Sequence, residues 1–384
     1  MILSSEHEAA RKIAREFAER YVEPVAEKMD RELYYPRDVI REAGKLGLLA
    51  PTVPAEYGGG GADLRTAVVV LEEVGRISGG MSLIMAAIGT LFADTLAKYG
   101  SARQKEEVLA RVASGDAVGA FALSEPCCGS DAAAIQTSAK REGGEWAISG
   151  RKMWITNGHY ADYFLVAART GPREAKHKAI TLFLLKRGPC IETTPIEVMG
   201  SRGSGTAEVK LEDCRAGDDD IVGGLNKGFD AVMRTLDVGR TTVSAMGLGV
   251  MRGAYEEALD WARRRELFGQ RLVDFQWAQF ELAEIYATIE AARALTYYAA
   301  YLFDVRDPAF VLYTHVVKLL VGRWTVDVVR RAVHLEGGFG YSKDSRAERF
   351  YRDARLLEIG EGTNEVMKYV LYKIIEKGLP KFEF

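Results

Sequence analysis

Chemistry is concentrated in Phe121-Ala-Leu-Ser-Glu-Pro-Cys-Cys-Gly-Ser-Asp131, Lys152-Met-Trp-Ile-Thr-Asn-Gly158 and Gly360-Glu-Gly-Thr-Asn-Glu-Val366. In the last of these, Glu361 stands between glycines. A carboxylate held in contact with a substrate can remove a weakly acidic proton. In the first, Gly129 lets another group come close to the backbone. Each segment also has a plainer reading. The first is a strand closed by a Pro-Gly turn, Trp154 is a core side chain, and Glu361 is an acid favoured by the dipole at a helix N-terminus. Their order and spacing along the chain give them weight together.

The elements that must position them fall into three blocks. Residues 1–115 read as helices. Ser5-Glu-His-Glu8 has a capping-box pattern, and Ile13, Phe17 and Tyr21 follow at amphipathic spacing. Further helical runs lie at 37–48, 64–74, 81–96 and 104–112, with the glycines at 58–61 as a break. Residues 116–225 carry period-2 alternation and turn residues, which predicts strands at 118–123, 145–148, 163–168, 179–185 and 207–211. Residues 226–384 return to long helices. Leu282, Ile285, Ile289 and Ala292 form a bundle seam. Asp307-Pro308 reads as an N-cap with Pro at N1, opening a helix that stops at Gly337-Gly338. A last helix is predicted at 365–377. The fold class is α+β and multidomain: an N-terminal helical domain, a small central β-barrel or sandwich domain, and a C-terminal four-helix bundle.

Composition bounds the function. The chain has 384 residues, 48% hydrophobic and 27% charged, with net charge -3. It reads as a soluble globular protein of more than one domain, and it lacks the basic excess that nucleic acid binding needs. No apolar run reaches about 18 residues, so no membrane span is expected. The first residues lack the apolar core of a secretory signal, so a cytoplasmic location is expected. Cys127, Cys128, Cys190 and Cys214 lack metal spacing, and adjacent cysteines rarely bridge, so reduced thiols and no metal are expected. Asparagine occurs only at Asn157, Asn226 and Asn364, a depletion that points to a heat-stable protein.

Taken together, the three segments resemble the acyl-CoA dehydrogenase family of flavoenzymes, over residues 3 to 378 or so. The resemblance implies FAD as cofactor. It gives the Leu123 amide and Ser124 hydroxyl to the N1/O2 edge of the flavin, Thr156 to N5/O4, Trp154 to one ring face, and Gly129 and Ser130 to the pyrophosphate. Arg265, Phe268 and Gln276 match residues that complete the adenosine half across a subunit interface, with Gly337, Gly338 and Gly340 as the glycine-rich element there. His334 stands where the family usually has glutamine. The Cys127-Cys128 pair replaces small residues near the pyrophosphate. Glu361 matches the catalytic base, and Thr363 and Glu365 match contacts to the phosphate or ribose region. Some relatives place the base in a Leu-Asp-x-Glu-Arg segment. Here that segment is Leu236-Asp-Val-Gly-Arg240, and Gly239 cannot supply a base. Asp237 matches a pantetheine contact and Arg240 an interior arginine, while Ser130, Gly360 and Gly362 border the substrate.

The implied reaction is α,β-dehydrogenation of an acyl-CoA to the trans-2-enoyl-CoA, with electrons passing to an electron-transfer flavoprotein and a homotetramer built as a dimer of dimers. Gly360 replaces the tyrosine of many straight-chain relatives, which suggests tolerance of branching near Cα. The helix around 82–91, with Met85 and Ile88 and no arginine, is expected to line the far end of the acyl pocket and to disfavour a dicarboxylic group. An acyl-CoA oxidase or other flavin chemistry on the same fold is the first alternative. A non-catalytic acyl-CoA or flavin-binding scaffold, colourless when purified, is the second.

Overall fold

The computed structural model describes residues 3–378, so the extreme ends of the first and last blocks lie outside the described residues. The first block is helical throughout. Helix α1 (Ser5–Phe17) passes through a wide turn, Ala18–Val22, into α2 (Glu23–Glu32), followed by α3 (Arg37–Lys45) and α4 (Leu64–Gly75). Helix α5 (Gly79–Ala86) continues through a second wide turn, Ala87–Ala93, into α6 (Asp94–Tyr99), and α7 (Ala102–Ala113) closes the block. The capping pair of α1 is Ser4 with His7, one residue earlier than the Ser5/Glu8 pattern suggests: the Ser4 N–H donates to His7 Nδ1 at 2.9 Å. The continuous helix Gly79–Tyr99 is long and apolar enough to cross a bilayer by composition, yet 78% of its most apolar window is buried inside this fold. Core burial accounts for that composition.

The middle block is one eight-stranded sheet. Its strands are β1 (Gly119–Ala122), β2 (Ser138–Glu142), β3 (Glu145–Ile155), β4 (Tyr163–Arg169), β5 (Ile180–Lys186), β6 (Ile191–Pro195), β7 (Ala207–Ala216) and β8 (Ile221–Val222). They run in the order β6-β7-β3-β2-β4-β5-β8, with β1 pairing β4 in parallel. The short, mostly polar strands β2 and β6 are absent from the sequence expectation because their alternation is weak.

In the last block, α8 (Gly228–Arg264) leads through a small hairpin, β9 (Glu266–Leu267) and β10 (Gln270–Arg271), to α9 (Gln276–Asp304), α10 (Phe310–Glu336), α11 (Arg346–Arg355) and α12 (Asn364–Glu376). Helix α10 starts at Phe310 rather than at Pro308, and Asp307 instead closes a preceding turn by accepting the Ala309 N–H at 2.8 Å. Helices α4 and α8 cross so closely that a Cβ on Gly249 would lie 2.3 Å from the Glu72 carbonyl oxygen. Beside that crossing, the buried Glu72 and Glu73 both accept from Arg252 Nη1, each at 2.8 Å, and Tyr297 donates to Glu72 at 2.5 Å. A buried carboxylate survives only when paired in this way. The cluster fixes the first block to the bundle.

The expectation of reduced thiols is corrected. Cys190 is bonded to Cys214, and Cys127 to Cys128. Cys190 directly precedes β6 and Cys214 lies on β7, and the register Ile191↔Leu211 brings their Cα atoms to 5.3 Å, a distance a disulfide spans. Strand register, not sequence spacing, creates this pair. Around the second pair, Glu125 and Cys128 exchange backbone hydrogen bonds of 3.2 and 3.0 Å, folding the loop back on itself. Donor atoms of Glu125, Cys127 and Cys128 lie within 4.8 Å of one another, but the sulfurs are bonded to each other and so offer no thiolate ligands. Replacing both Cys190 and Cys214 by serine should lower stability by about 3 kcal/mol, from loop-closure entropy. Urea unfolding of variant and parent, under oxidising and reducing conditions, checks this; the reductant should affect the parent far more.

Candidate active site

Glu361 lies in the short link between α11 and α12. The chain leaves α11 through a turn at Leu356–Glu358, and α12 is capped by Thr363, whose Oγ1 accepts the Val366 N–H at 3.3 Å. Between them, Glu361 has φ +55° and Gly362 φ +95°. A side chain in this left-handed region costs about 1 kcal/mol, so surrounding contacts must impose the conformation. Cations from different helices do so. Arg240 Nε of α8 donates to the Glu361 carbonyl at 3.3 Å, and Lys318 Nζ of α10 donates to the Gly362 carbonyl. The Glu361 side chain itself is unpaired: its Oε2 is buried with no hydrogen-bond partner. Burial pushes the carboxyl above its ordinary range, against the opposing pull of Arg240 and Lys318.

Gly239 makes the space for that carboxylate. A Cβ there would sit 2.8 Å from Glu361 Oε2 and 2.8 Å from Leu91 Cδ2. Close by, Val243, Met246 and Leu357 form a separate apolar cluster, with Leu83 and Leu356 packed on it. A Cβ on Gly360 would meet Leu356 Cδ1 at 3.2 Å. On the helix expected to line the acyl pocket, Ser82, Met85 and Ile88 prove fully buried, whereas Leu83 and Leu91 are half-buried. Within 82–91 these two leucines are therefore among the less buried apolar side chains. Ser82 is turned away, donating to the Leu71 carbonyl at 2.9 Å.

Arg240 is buried and held on several sides. Its Nη1 donates to Asp237 Oδ1 at 2.5 Å and to His315 Nε2 at 3.1 Å. Burial pushes His315 down to about 4, helped by Arg240, so the ring is neutral. Its Nδ1–H donates to the Val311 carbonyl at 2.6 Å, which leaves Nε2 as the acceptor. Asp237 Oδ1 is thus engaged by Arg240.

The sheet presents a second group of side chains. The register of β3 against β7 slips between Lys152 and Ile155, and at that bulge Trp154 takes φ +62° and stands 58% exposed. Bulges re-aim side chains in this way. Thr156 follows, half-buried. Facing the bulge is the loop after β1, which contains Leu123 and Ser124; the Met153 N–H donates to the Ser124 carbonyl at 2.8 Å. Lys152, fully buried, donates to the Leu123 carbonyl at 3.0 Å and to Glu125 Oε1 at 2.8 Å, and Glu125 also accepts the backbone N–H groups of Gln136 and Thr137. Gly129 and Ser130 lie exposed beyond this anchor, and a Cβ on Gly129 would meet nothing within 4 Å.

A third group gathers at the end of the bundle. Arg265, Phe268 and Gln276 belong to the hairpin region, with Phe268 at φ +49° and 92% exposed. His334 packs edge-on against Trp277, with ring centroids 5.8 Å apart, and Phe339 stacks on Trp261 at 4.6 Å. Gly337 and Gly338 are exposed, with open space where a Cβ would be. Gly340 differs from them: a Cβ would lie 2.4 Å from the Val333 carbonyl, so it serves the fold. No hydrogen bond or ring contact among the described residues joins this group to Trp154 or Glu361.

Matching models cover nearly all of this architecture. The acyl-CoA dehydrogenase N-terminal domain matches residues 4–116, the middle domain 120–214 and the C-terminal domain 226–375. The chain belongs to the acyl-CoA dehydrogenase family. It is an oxidoreductase of that family, which is FAD-dependent. It is 36% identical to a 3-(aryl)acrylate reductase of Clostridium sporogenes over 97% of this chain and 98% of the relative. It is 32% identical to the structure of butyryl-CoA dehydrogenase from Megasphaera elsdenii, with a TM-score of 0.94, over 97% and 99% of the two chains. A chain from a structure of the electron transferring flavoprotein of Acidaminococcus fermentans, in work on flavin-based electron bifurcation, is 35% identical with a TM-score of 0.94, over 97% and 98%. The residues present fit FAD: an exposed Trp154 aimed by a bulge, a glycine approach at Gly129 with no protein atom filling it, and a buried carboxylate left without a partner.

Lys318, His315 and the Lys152–Glu125 pair were not singled out in the sequence. The signal for Lys318 is a lone lysine within the apolar run Val316-Val-Lys-Leu-Leu-Val321. Gly239→Ala should displace the Glu361 carboxylate, and a reaction that uses this carboxylate should slow by roughly 10- to 100-fold, as small misplacements of reacting groups do. Bound FAD, read from visible absorbance, should stay at the parent level.

Proposed function

We propose that this protein dehydrogenates a short or branched acyl-CoA between Cα and Cβ, with Glu361 as the base. The observation that carries the proposal is the buried, unpartnered Glu361 Oε2 on a turn held from both sides. The thioester carbonyl acidifies the α proton, and Glu361 takes it. Bound FAD would supply the hydride acceptor for the β hydrogen. Leu123, Ser124 and Thr156 would hold the isoalloxazine edges, Trp154 would wall one face, and Gly129, Ser130, Thr363 and Glu365 would serve the phosphate or ribose region. The apolar surround of Leu83, Leu91, Val243 and Leu356 excludes water from the acyl chain. The missing side chain at Gly360 favours substrates branched near Cα.

Arg265, Phe268, Gln276, His334, Gly337 and Gly338 would receive the adenosine half of FAD from a second copy of the chain. That no hydrogen bond or ring contact among the described residues ties them to the first two groups supports this, as does the exposed apolar surface at Phe268, Phe280, Tyr341 and Tyr369. This reading takes the assembly to be a homotetramer, a dimer of such pairs. The likeness to a chain solved with an electron transferring flavoprotein supports such a protein as the electron acceptor. The likeness to the arylacrylate reductase favours a second reading, in which the same site runs in reverse and Glu361 returns the proton to Cα.

Anaerobic titration of the purified protein with acyl-CoAs from C4 to C16, including isobutyryl- and isovaleryl-CoA, tests the proposal. Bleaching of the visible flavin band is expected with short or branched members, and Glu361→Gln should bind but reduce about 1,000-fold more slowly. Isobutyryl- and isovaleryl-CoA reacting far more slowly than butyryl-CoA would overturn the branched assignment. A yellow protein bleached by none of them would overturn the dehydrogenation. Bleaching by none, with reoxidation of chemically reduced protein by an enoyl thioester, would favour the reductase.

A further inference from the structure

We infer that Lys318 is a positioning residue for the base: α10 brings its ammonium beneath the Glu361–Gly362 turn, where it holds the turn left-handed and lends its charge to the carboxylate without bonding it. The inference rests on the assignment of Glu361 as the base.

Lys318 is 1% exposed and lies in the middle of α10, between apolar neighbours. A buried ammonium is costly unless something answers it. Among the described residues it makes no ion pair with a carboxylate, and its hydrogen bond goes to the Gly362 carbonyl oxygen. That oxygen adjoins a strained non-glycine residue, Glu361 at φ +55°. Arg240 grips the preceding carbonyl from α8. Consecutive carbonyls of the turn are thus tied to different helices, so neither can rotate to relieve the strain without losing a charged donor.

The manner of attachment matters for the chemistry. A lysine bonded directly to Glu361 would occupy the lone pairs that must accept the substrate proton. Tied instead to the neighbouring carbonyl, the ammonium acts on Glu361 only through its field. It favours the ionised carboxylate that burial disfavours, and Oε2 stays unpaired. The other charged or titratable groups facing this centre are Arg240 and Asp237 from α8, the neutral His315 from α10 and Glu365 from α12. Burial pushes Lys318 down to about 8, against the attraction of Glu361, so it is charged at neutral pH.

Lys318→Met removes both the bond and the charge, and Lys318→Gln keeps a donor but removes the charge. In holoenzyme, Lys318→Met should lower the rate of flavin reduction about 100-fold, with FAD content and KM for the best acyl-CoA held near parent values. Lys318→Gln should recover most of the plateau rate. In both, the acid limb of the rate profile should move to higher pH. Infrared difference titration against Glu361→Gln should show the same upward movement of the Glu361 carboxyl without any turnover. An acid limb and infrared midpoint unmoved in Lys318→Gln would overturn the inference, and this holds even if Lys318→Met fails to fold. Loss of FAD content and raised KM in proportion to the rate would also overturn it, marking Lys318 as a packing residue. If no acyl-CoA reduces the parent, the assignment of the base fails; if the parent is reduced and both variants match it, only the role of Lys318 fails.

Discussion

The site depends on keeping one carboxylate oxygen, Glu361 Oε2, out of water without giving it a partner. A buried ionised carboxyl with no hydrogen bond is unstable in most folds, because desolvation drives it to neutralise. Here Arg240 and Lys318 oppose that tendency from carbonyls next to Glu361, and no atom of the described residues bonds Oε2. The carboxylate stays basic and available. Most of the architecture around it follows from that requirement.

Each structural block has a part in it. Helix α8 gives Arg240 and, through Gly239, the space that the carboxylate fills. Helix α10 gives Lys318 and the neutral His315 that steadies Arg240. The first block presses its most apolar helix against α8, with Leu83 on the Val243 cluster and Leu91 beside Gly239. The sheet contributes a bulge that turns Trp154 outward and a buried Lys152–Glu125 pair beneath the Leu123 loop. The Glu72–Glu73–Arg252 cluster joins the first block to the bundle. These parts come from distant stretches of chain, and the long rigid helices set their relative placement.

Much of this was legible in the sequence, for identifiable reasons. Long amphipathic helices and the hydrophobic strands β4 and β5 announce themselves by periodicity, and the three motif segments carried the family. Other features had no local signal. The Cys190–Cys214 bond arises from the register of β6 on β7, and the cap at Ser4 uses a histidine in place of the usual acid. Gly239 was legible as the absence of a base, but its role in making room for Glu361 requires the crossing of α8 with the helix bearing Leu91. Lys318 looks like an ordinary charged residue until α10 is docked under the turn. Within 82–91 the sequence does not reveal which residues are fully buried, because a helix apolar all round does not show which side is core.

The most direct test of the central claim is the pH dependence of flavin reduction in the parent protein, measured anaerobically from pH 4 to pH 9 with its best acyl-CoA. A carboxylate kept desolvated and unpartnered should give a rate that rises with pH through a midpoint above the ordinary glutamate value of about 4.3. A midpoint at or below that value, or a rate flat across the acid range, would mean that Glu361 is solvated or paired when substrate binds, and the account would fail.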